Sequence, residues 1–147
     1  PLEELQRSLD IAVAQLSRIP EAKAAYSYAP NKWTIQQLVG HCIDTERIFQ
    51  YRALRFAREQ QAECKGFDED AFAAQNACVH RSIASLIAEF KVVRQSSILL
   101  FDSLSESELN KQGLADGKAM NLRACGLIMS GHVLHHLGVL NERYLNA

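Results

Sequence analysis

The sequence predicts an all-α protein built as a four-helix bundle. Three observations carry that prediction. Proline occurs only as Pro1, Pro20 and Pro30, so long helices are permitted over most of the chain. No stretch shows sustained alternation of β-branched residues, and the one Asp-Gly pair, Asp116-Gly117, follows a polar segment rather than a strand-like run. Several long stretches instead repeat apolar residues at spacings of three and four, the period of a helix face.

The first helix is expected from Leu2 to Ile19, with Leu5, Leu9, Ala12, Val13 and Leu16 on one stripe; Pro20 and "YSYAP" end it. The second has the clearest start. In "KWTIQQL", Thr34 is a good N-cap and Gln37 stands three residues later, a capping box, with Trp33 and Leu38 spaced for a hydrophobic staple. It runs to about Glu59, with Leu38, Ile48, Tyr51, Leu54 and Phe56 as its apolar face. Residues 60–81 have mixed character and form a crossover. The third helix spans Ser82 to Ser103, with Ile83, Leu86, Ile87, Phe90, Val93 and Ile98 inward. Ser105 and Glu108 in "SESE" give a second capping box for a short helix ending near Lys111. "GLADGKAM" is expected to be a loop, and Asn121 to cap the fourth long helix, Leu122 to Leu145.

The connections suggest an order. The links on either side of the central crossover suit antiparallel neighbours. The crossover of about 22 residues, at ~3.3 Å each, can return along a helix of ~37 Å. The second and third helices would then run the same way, giving an up-down-down-up bundle in a single domain over residues 1–147.

Composition narrows the function. Net charge is −1 over 147 residues, which argues against a basic nucleic-acid surface. No apolar run is long enough to span a bilayer and no leader-like pattern is visible, so a cytoplasmic protein without a membrane partner is expected. The four cysteines, Cys42, Cys64, Cys78 and Cys125, form no C-x-x-C pair, which argues against a zinc ribbon or a thioredoxin-type motif. Cys42 and Cys125 read as small buried hydrophobes.

The histidines are the unusual feature. Three of the five lie in "SGHVLHHLGVL" among residues that belong in a core. His132 and His136 are four apart and project from one helix face, so they can share a metal ion. His41 lies on the inward stripe of the second helix with Leu38, Thr45 and Ile48. Two helices therefore present imidazole to the interior. Each buried imidazole without a partner forfeits ~1–3 kcal/mol of hydrogen bonding, and shared coordination of one divalent cation removes that cost. Three nitrogen ligands with an open position is the pattern of a catalytic site. His135 is turned about 100° from His136, toward the edge of the seam, and His80 is isolated in the crossover.

Two known metal chemistries are disfavoured. Val133 occupies the place where an H-E-x-x-H peptidase carries its glutamate. Neither His132 nor His136 has a glutamate three residues before it, as a ferritin-type di-iron site requires. Asp44, three residues after His41, is the candidate base or imidazole-orienting group; Glu46 is the weaker candidate, and "DTER" also reads as a solvated face. Tyr51 and Arg143 are candidates to line a pocket.

Two motifs carry a family resemblance. The pattern Y-x-P-x-K-W-T-I-x-x-L-x-x-H-x-x-D-x-E spans Tyr28 to Glu46, and G-H-x-x-H-H-L-G-x-L spans Gly131 to Leu140. Together, with "LSESEL" before the last helix, they resemble the DinB/YfiT-like superfamily of metal-dependent enzymes. The resemblance implies a four-helix bundle in up-down-down-up order and a zinc or nickel ion on the matching residues His41, His132 and His136. It also implies a small-molecule substrate, a thiol-dependent transferase using a low-molecular-weight thiol or a hydrolase, and a homodimer. The family name does not imply DNA binding.

Three readings follow. The first is a mononuclear metalloenzyme whose open position takes water or a thiol and lowers its pKa. The second is a non-enzymatic metal-binding or dimerisation module in which the cation mainly stabilises the bundle. The third is an ordinary bundle with hydrogen-bonded core histidines.

Overall fold

The structure, a computed structural model, describes residues 1–76 and 78–145; positions 77, 146 and 147 of the expected 1–147 domain lie outside the described residues. Five α-helices dominate: α1 Leu2–Leu16, α2 Ile35–Arg58, α3 Glu69–Gln75, α4 Ile83–Asp102 and α5 Leu122–Val139, the last continued by a π-helical turn, Leu140–Tyr144. Three of the four long helices, α2, α4 and α5, begin where the sequence offers caps. Thr34 accepts from the Gln37 N–H while Gln37 Oε1 accepts from the Thr34 N–H at 2.9 Å. Ser82 caps α4 and Asn121 caps α5. The Ser105–Glu108 capping pair also forms, but it starts only a single 3₁₀ turn, Glu108–Asn110.

Both α1 and α2 pack along α4 and α5. The core divides into two apolar clusters. One gathers Leu16 and Ile19 at the end of α1, Val39 and Ile43 near the start of α2, Ile83 and Leu86 at the start of α4, and Val133 and Leu137 near the end of α5. The other gathers Leu5, Ala53, Phe56, Phe101, Leu122 and Met129 from the opposite ends. Fully buried members such as Leu5, Phe56 and Leu122 each contribute about 1.5–3 kcal/mol through removal of apolar surface from water.

Between the clusters lies a polar layer. Arg94 of α4 is fully buried and uses all five guanidinium N–H groups. Nε and Nη2 donate to the two Glu46 oxygens, each at 2.8 Å. Nη1 donates to the Ser8 hydroxyl and the Leu5 carbonyl at 2.6 and 3.1 Å, and Nη2 also donates to the Met129 carbonyl at 3.1 Å. One side chain thereby ties all four long helices together. The solvated-face reading of "DTER" is corrected here: Glu46 is only 3% exposed, within the polar layer.

The expectation of an all-α protein needs a second correction. A small three-stranded sheet is present, with β1 Glu63–Cys64 parallel to β2 Gln112–Ala115, and β2 antiparallel to β3 Lys118–Asn121. The expected "GLADGKAM" loop is the β2–β3 hairpin. Asp116 and Gly117 both take positive φ, 53° and 76°, as a two-residue hairpin turn requires. No residue of β2 or β3 is β-branched, so the usual strand signal is missing. The sheet closes over the C-terminal end of α2, where Gly113 lets the Phe56 ring approach; a Cβ there would lie 2.3 Å from that ring.

The face of α2 is also rotated from the one expected. Tyr51 and Leu54 point outward, 59% and 40% exposed, while Val39, Ile43, Ala53 and Ala57 are buried. The inward seam is occupied partly by Glu46 and Arg52, which an apolar pattern cannot register. The crossover contains α3 and a 3₁₀ turn, Cys78–His80, and α1 ends at Leu16 with Ile19 still buried beyond it. Among the described residues no helix is long and apolar enough to cross a membrane.

Candidate metal centre

The capping box fixes where α2 begins, and two turns later the helix delivers His41 to the interior, 1% exposed. Helix α5 delivers His132 and His136 one turn apart from the other side. The three rings meet. His41 Nε2 lies 3.0 Å from His132 Nε2, and His136 Nε2 lies 3.1 Å from the same atom. Among the described residues these three form the one group of metal-ligating side chains within 4.8 Å of one another. His135 stands outside it, exposed, with its ring 5.1 Å from that of His136, and His80 is exposed and not part of the group.

The cluster is short of hydrogen-bonding capacity. A neutral imidazole nitrogen offers either one N–H or one lone pair. His132 Nε2 faces two other Nε2 atoms and can satisfy one of them fully. Burial holds all three rings in the neutral form. It lowers His132 to about 3, helped by His136, His41, His135 and the Arg94 guanidinium. It lowers His136 to about 4, helped by His41 and His135. His41 is lowered too, again by burial, with the carboxylates of Glu69 and Asp70 opposing. Three neutral nitrogens aimed at one another suit a divalent cation, which accepts one lone pair from each.

The surroundings orient the rings. Thr45 Oγ1 is 3.5 Å from His41 Nδ1 on the far side of that ring. The indole of Trp33 lies against His41 and His136, with centroids 4.8 and 6.4 Å away. Beside His136 opens a cavity of about 340 Å³, walled by Tyr28, Trp33, Leu38, Val139 and Tyr144 with Asn31, Lys32 and Asp70 also in its lining. The arrangement therefore offers three nitrogen donors next to a small partly apolar chamber.

Asp44 does not join this group. It is half-buried; burial and Glu89 raise its carboxyl, against the Arg47 guanidinium. The carboxylates whose charge reaches His41 are Glu69 and Asp70. The Asp70 position was missed in the sequence because it depends on how the crossover folds back as α3, and no local pattern marks it. Tyr51 is outside the cavity lining, beside Arg55. Arg143 stands behind the wall, with its guanidinium 5.7 Å from the Tyr28 ring. Buried Cys42 and Cys125 are each pushed up to about 12, chiefly by burial, and offer no thiolate near neutral pH.

The fold resembles that of a solved structure, YfiT from Bacillus subtilis, described as a probable metal-dependent hydrolase with an unusual four-helix bundle topology. The TM-score is 0.85 at 15% identity, over 99% of this chain and 86% of that one. Comparison with curated protein sequences finds no match. The family model of the DinB superfamily matches residues 2–140, and the chain belongs to that superfamily.

Proposed function

We propose that this protein is a mononuclear metal-dependent enzyme acting on a small molecule, with a divalent cation on His41, His132 and His136. The observation that carries the reading is the convergence of three Nε2 atoms, those of His41 and His136 lying 3.0 and 3.1 Å from that of His132, on rings that burial holds neutral. Zinc and nickel are the favoured ions, since imidazole suits both. A cation held there supplies Lewis acidity, making a water or a thiol nucleophilic near neutral pH.

The chain's own residues supply the rest. Thr45 and Trp33 hold the His41 ring in place. Arg94 opposes protonation of His132. The walls of Tyr28, Trp33 and Tyr144 limit water beside His136 and leave room for a substrate. Up-down-down-up order is part of the reading. It is supported by the two core clusters, which pair the start of α1 with the end of α2, the end of α4 and the start of α5.

The reaction is either hydrolysis or transfer of a low-molecular-weight thiol to an electrophile. The cavity beside His136 favours an enzyme over a purely structural metal module, because a structural site closes around its ion. Metal analysis of untagged protein is the direct test. About one ion per chain is expected, with loss in His136→Ala; equal content in the two would overturn the assignment. A screen of thiols with generic electrophiles against simple esters and amides then separates transferase from hydrolase.

A further inference from the structure

The cavity beside His136 has one cation and one anion in its lining, Lys32 and Asp70. Neither takes part in any ion pair found among the described residues, so more than 4.0 Å separates the ammonium from the carboxylate. Both stand on segments that are separately pinned. Lys32 sits in a tight loop in which Ser27 Oγ lies 2.8 Å from the Ala29 carbonyl and 2.9 Å from the Lys32 carbonyl. Asn31 just before it holds a left-handed φ of 64°, and the Tyr144 hydroxyl donates to the Trp33 carbonyl at 2.8 Å. Asp70 sits on α3, capped by Asp68 and tied to α2 by the Gln37 side chain, which donates to the Ala73 carbonyl at 3.4 Å. Asn31 takes the left-handed region that asparagine adopts readily, and the Ser27 hydroxyl ties the Lys32 backbone, so the start of the Lys32 side chain is fixed at the cavity rim.

We propose that this cavity takes a small zwitterion of the α-amino-acid type. Its carboxylate rests on Lys32, its ammonium on Asp70, and its apolar side chain against Trp33, Leu38 and Val139. A simple anion would face Asp70 uncompensated, and a simple cation would face Lys32 in the same way. A ligand carrying both charges satisfies both walls. The volume of about 340 Å³ lies near the lower end for small-molecule sites and suits a ligand of this size. The inference deepens the reading above and rests on it for the reacting centre beside the ligand.

The chain's one tryptophan is Trp33, in the cavity wall, so its fluorescence reports occupancy. The probes are L-phenylalanine, phenethylamine, which lacks the carboxylate, and 3-phenylpropanoate, which lacks the amine. Each is titrated into the protein as purified and after removal of metal with a chelator. L-Phenylalanine is expected to give a saturable change in both preparations and to bind about fivefold or more tightly than either analogue. Lys32→Ala should remove the preference over phenethylamine, and Asp70→Asn the preference over 3-phenylpropanoate. Equal binding of the three probes, or no saturable change with any, overturns the inference. Binding seen only with metal present and unmoved by both variants also overturns it, because the amino acid then chelates the ion, and the three-histidine reading stands. Zwitterion binding to a protein that takes up no metal separates the two in the other direction.

Discussion

Arg94 and His132 are both polar side chains held inside the same bundle, yet their surroundings are opposite. Arg94 spends five donors on five acceptors, two of them the oxygens of a buried carboxylate. His132 Nε2 meets two nitrogens of its own kind at 3.0 and 3.1 Å and cannot satisfy both. A buried group with every bond made holds structure together. A half-buried group left short beside a cavity is placed to meet a partner from outside the chain. The difference marks the first as a layer that holds the fold and the second as the candidate metal site, although both lie in one core.

Breaking the saturated layer should have the largest effect. Arg94→Met alone strands the Glu46 carboxylate, and Glu46→Leu alone strands the guanidinium. Each should reduce the unfolding free energy in urea by about 3–5 kcal/mol. The double variant should recover most of that loss, since no charge is then left unpaired. A double variant as unstable as the singles would show that the links to Ser8, Leu5 and Met129 matter more than the ion pair.

The unsaturated cluster should behave the other way. In metal-free protein His132→Ala is expected to change stability by no more than about 1 kcal/mol, because it also relieves a shortage of hydrogen bonds. Zinc or nickel at about 100 times its Kd should stabilise the wild type by about 2.7 kcal/mol and the variant by nothing. Thermal melts with and without chelator measure both. A large loss in the metal-free variant would place His132 with Arg94, as a structural group.

Acid sharpens the contrast further. His132 and His136 are lowered to about 3 and about 4, and His41 is also lowered, each chiefly by burial. The unfolded chain therefore takes up protons near pH 6.5 that the folded metal-free protein refuses. The stability these neutral rings provide is present above that pH and lost as pH falls toward the folded values. The slope is at most ~1.4 kcal/mol per pH unit for each histidine. Carboxylates held below their usual range, such as Glu89 between Arg81 and Arg47, begin to contribute only nearer pH 4.5. Between pH 6.5 and 5 the slope thus belongs mainly to the histidines. It should be shallower in His132→Leu, and bound metal, which also keeps the folded rings unprotonated, should leave it at least as steep; an unchanged slope in the variant would contradict the assignment.

The same contrast explains what could be read from the chain. His41, His132 and His136 were legible because a cap sets the start of α2 and because a spacing of four fixes a shared helix face. Those are local rules. Glu46 and Arg94 were not, because they meet across 48 residues and each stands in a locally ordinary helical context. The β2–β3 hairpin escaped for a related reason. Its only signal is Asp116-Gly117, flanked by Gln112, Gly113, Lys118 and Asn121, residues with little strand preference. The exposed Tyr51 and Leu54 misled the choice of face on α2 because a hydrophobic pattern cannot anticipate a buried carboxylate.

The smallest expected effect concerns Asp44, and it tests which carboxylates belong to the histidine cluster. Burial and Glu89 raise its carboxyl, against Arg47, so its ionised form is disfavoured in the folded protein. Removing that charge should therefore be neutral or slightly stabilising near pH 7, by no more than about 0.5 kcal/mol. Any stabilisation should fade as pH falls, because the wild-type carboxyl then protonates and matches the amide. The charges that reach His41 come from Glu69 and Asp70 instead. Asp70→Asn should then lower the apparent pKa of His41, followed by NMR in metal-free protein, whereas Asp44→Asn should leave it in place. A shift on Asp44→Asn as large as that on Asp70→Asn would return Asp44 to the site and blur the line between the two buried layers.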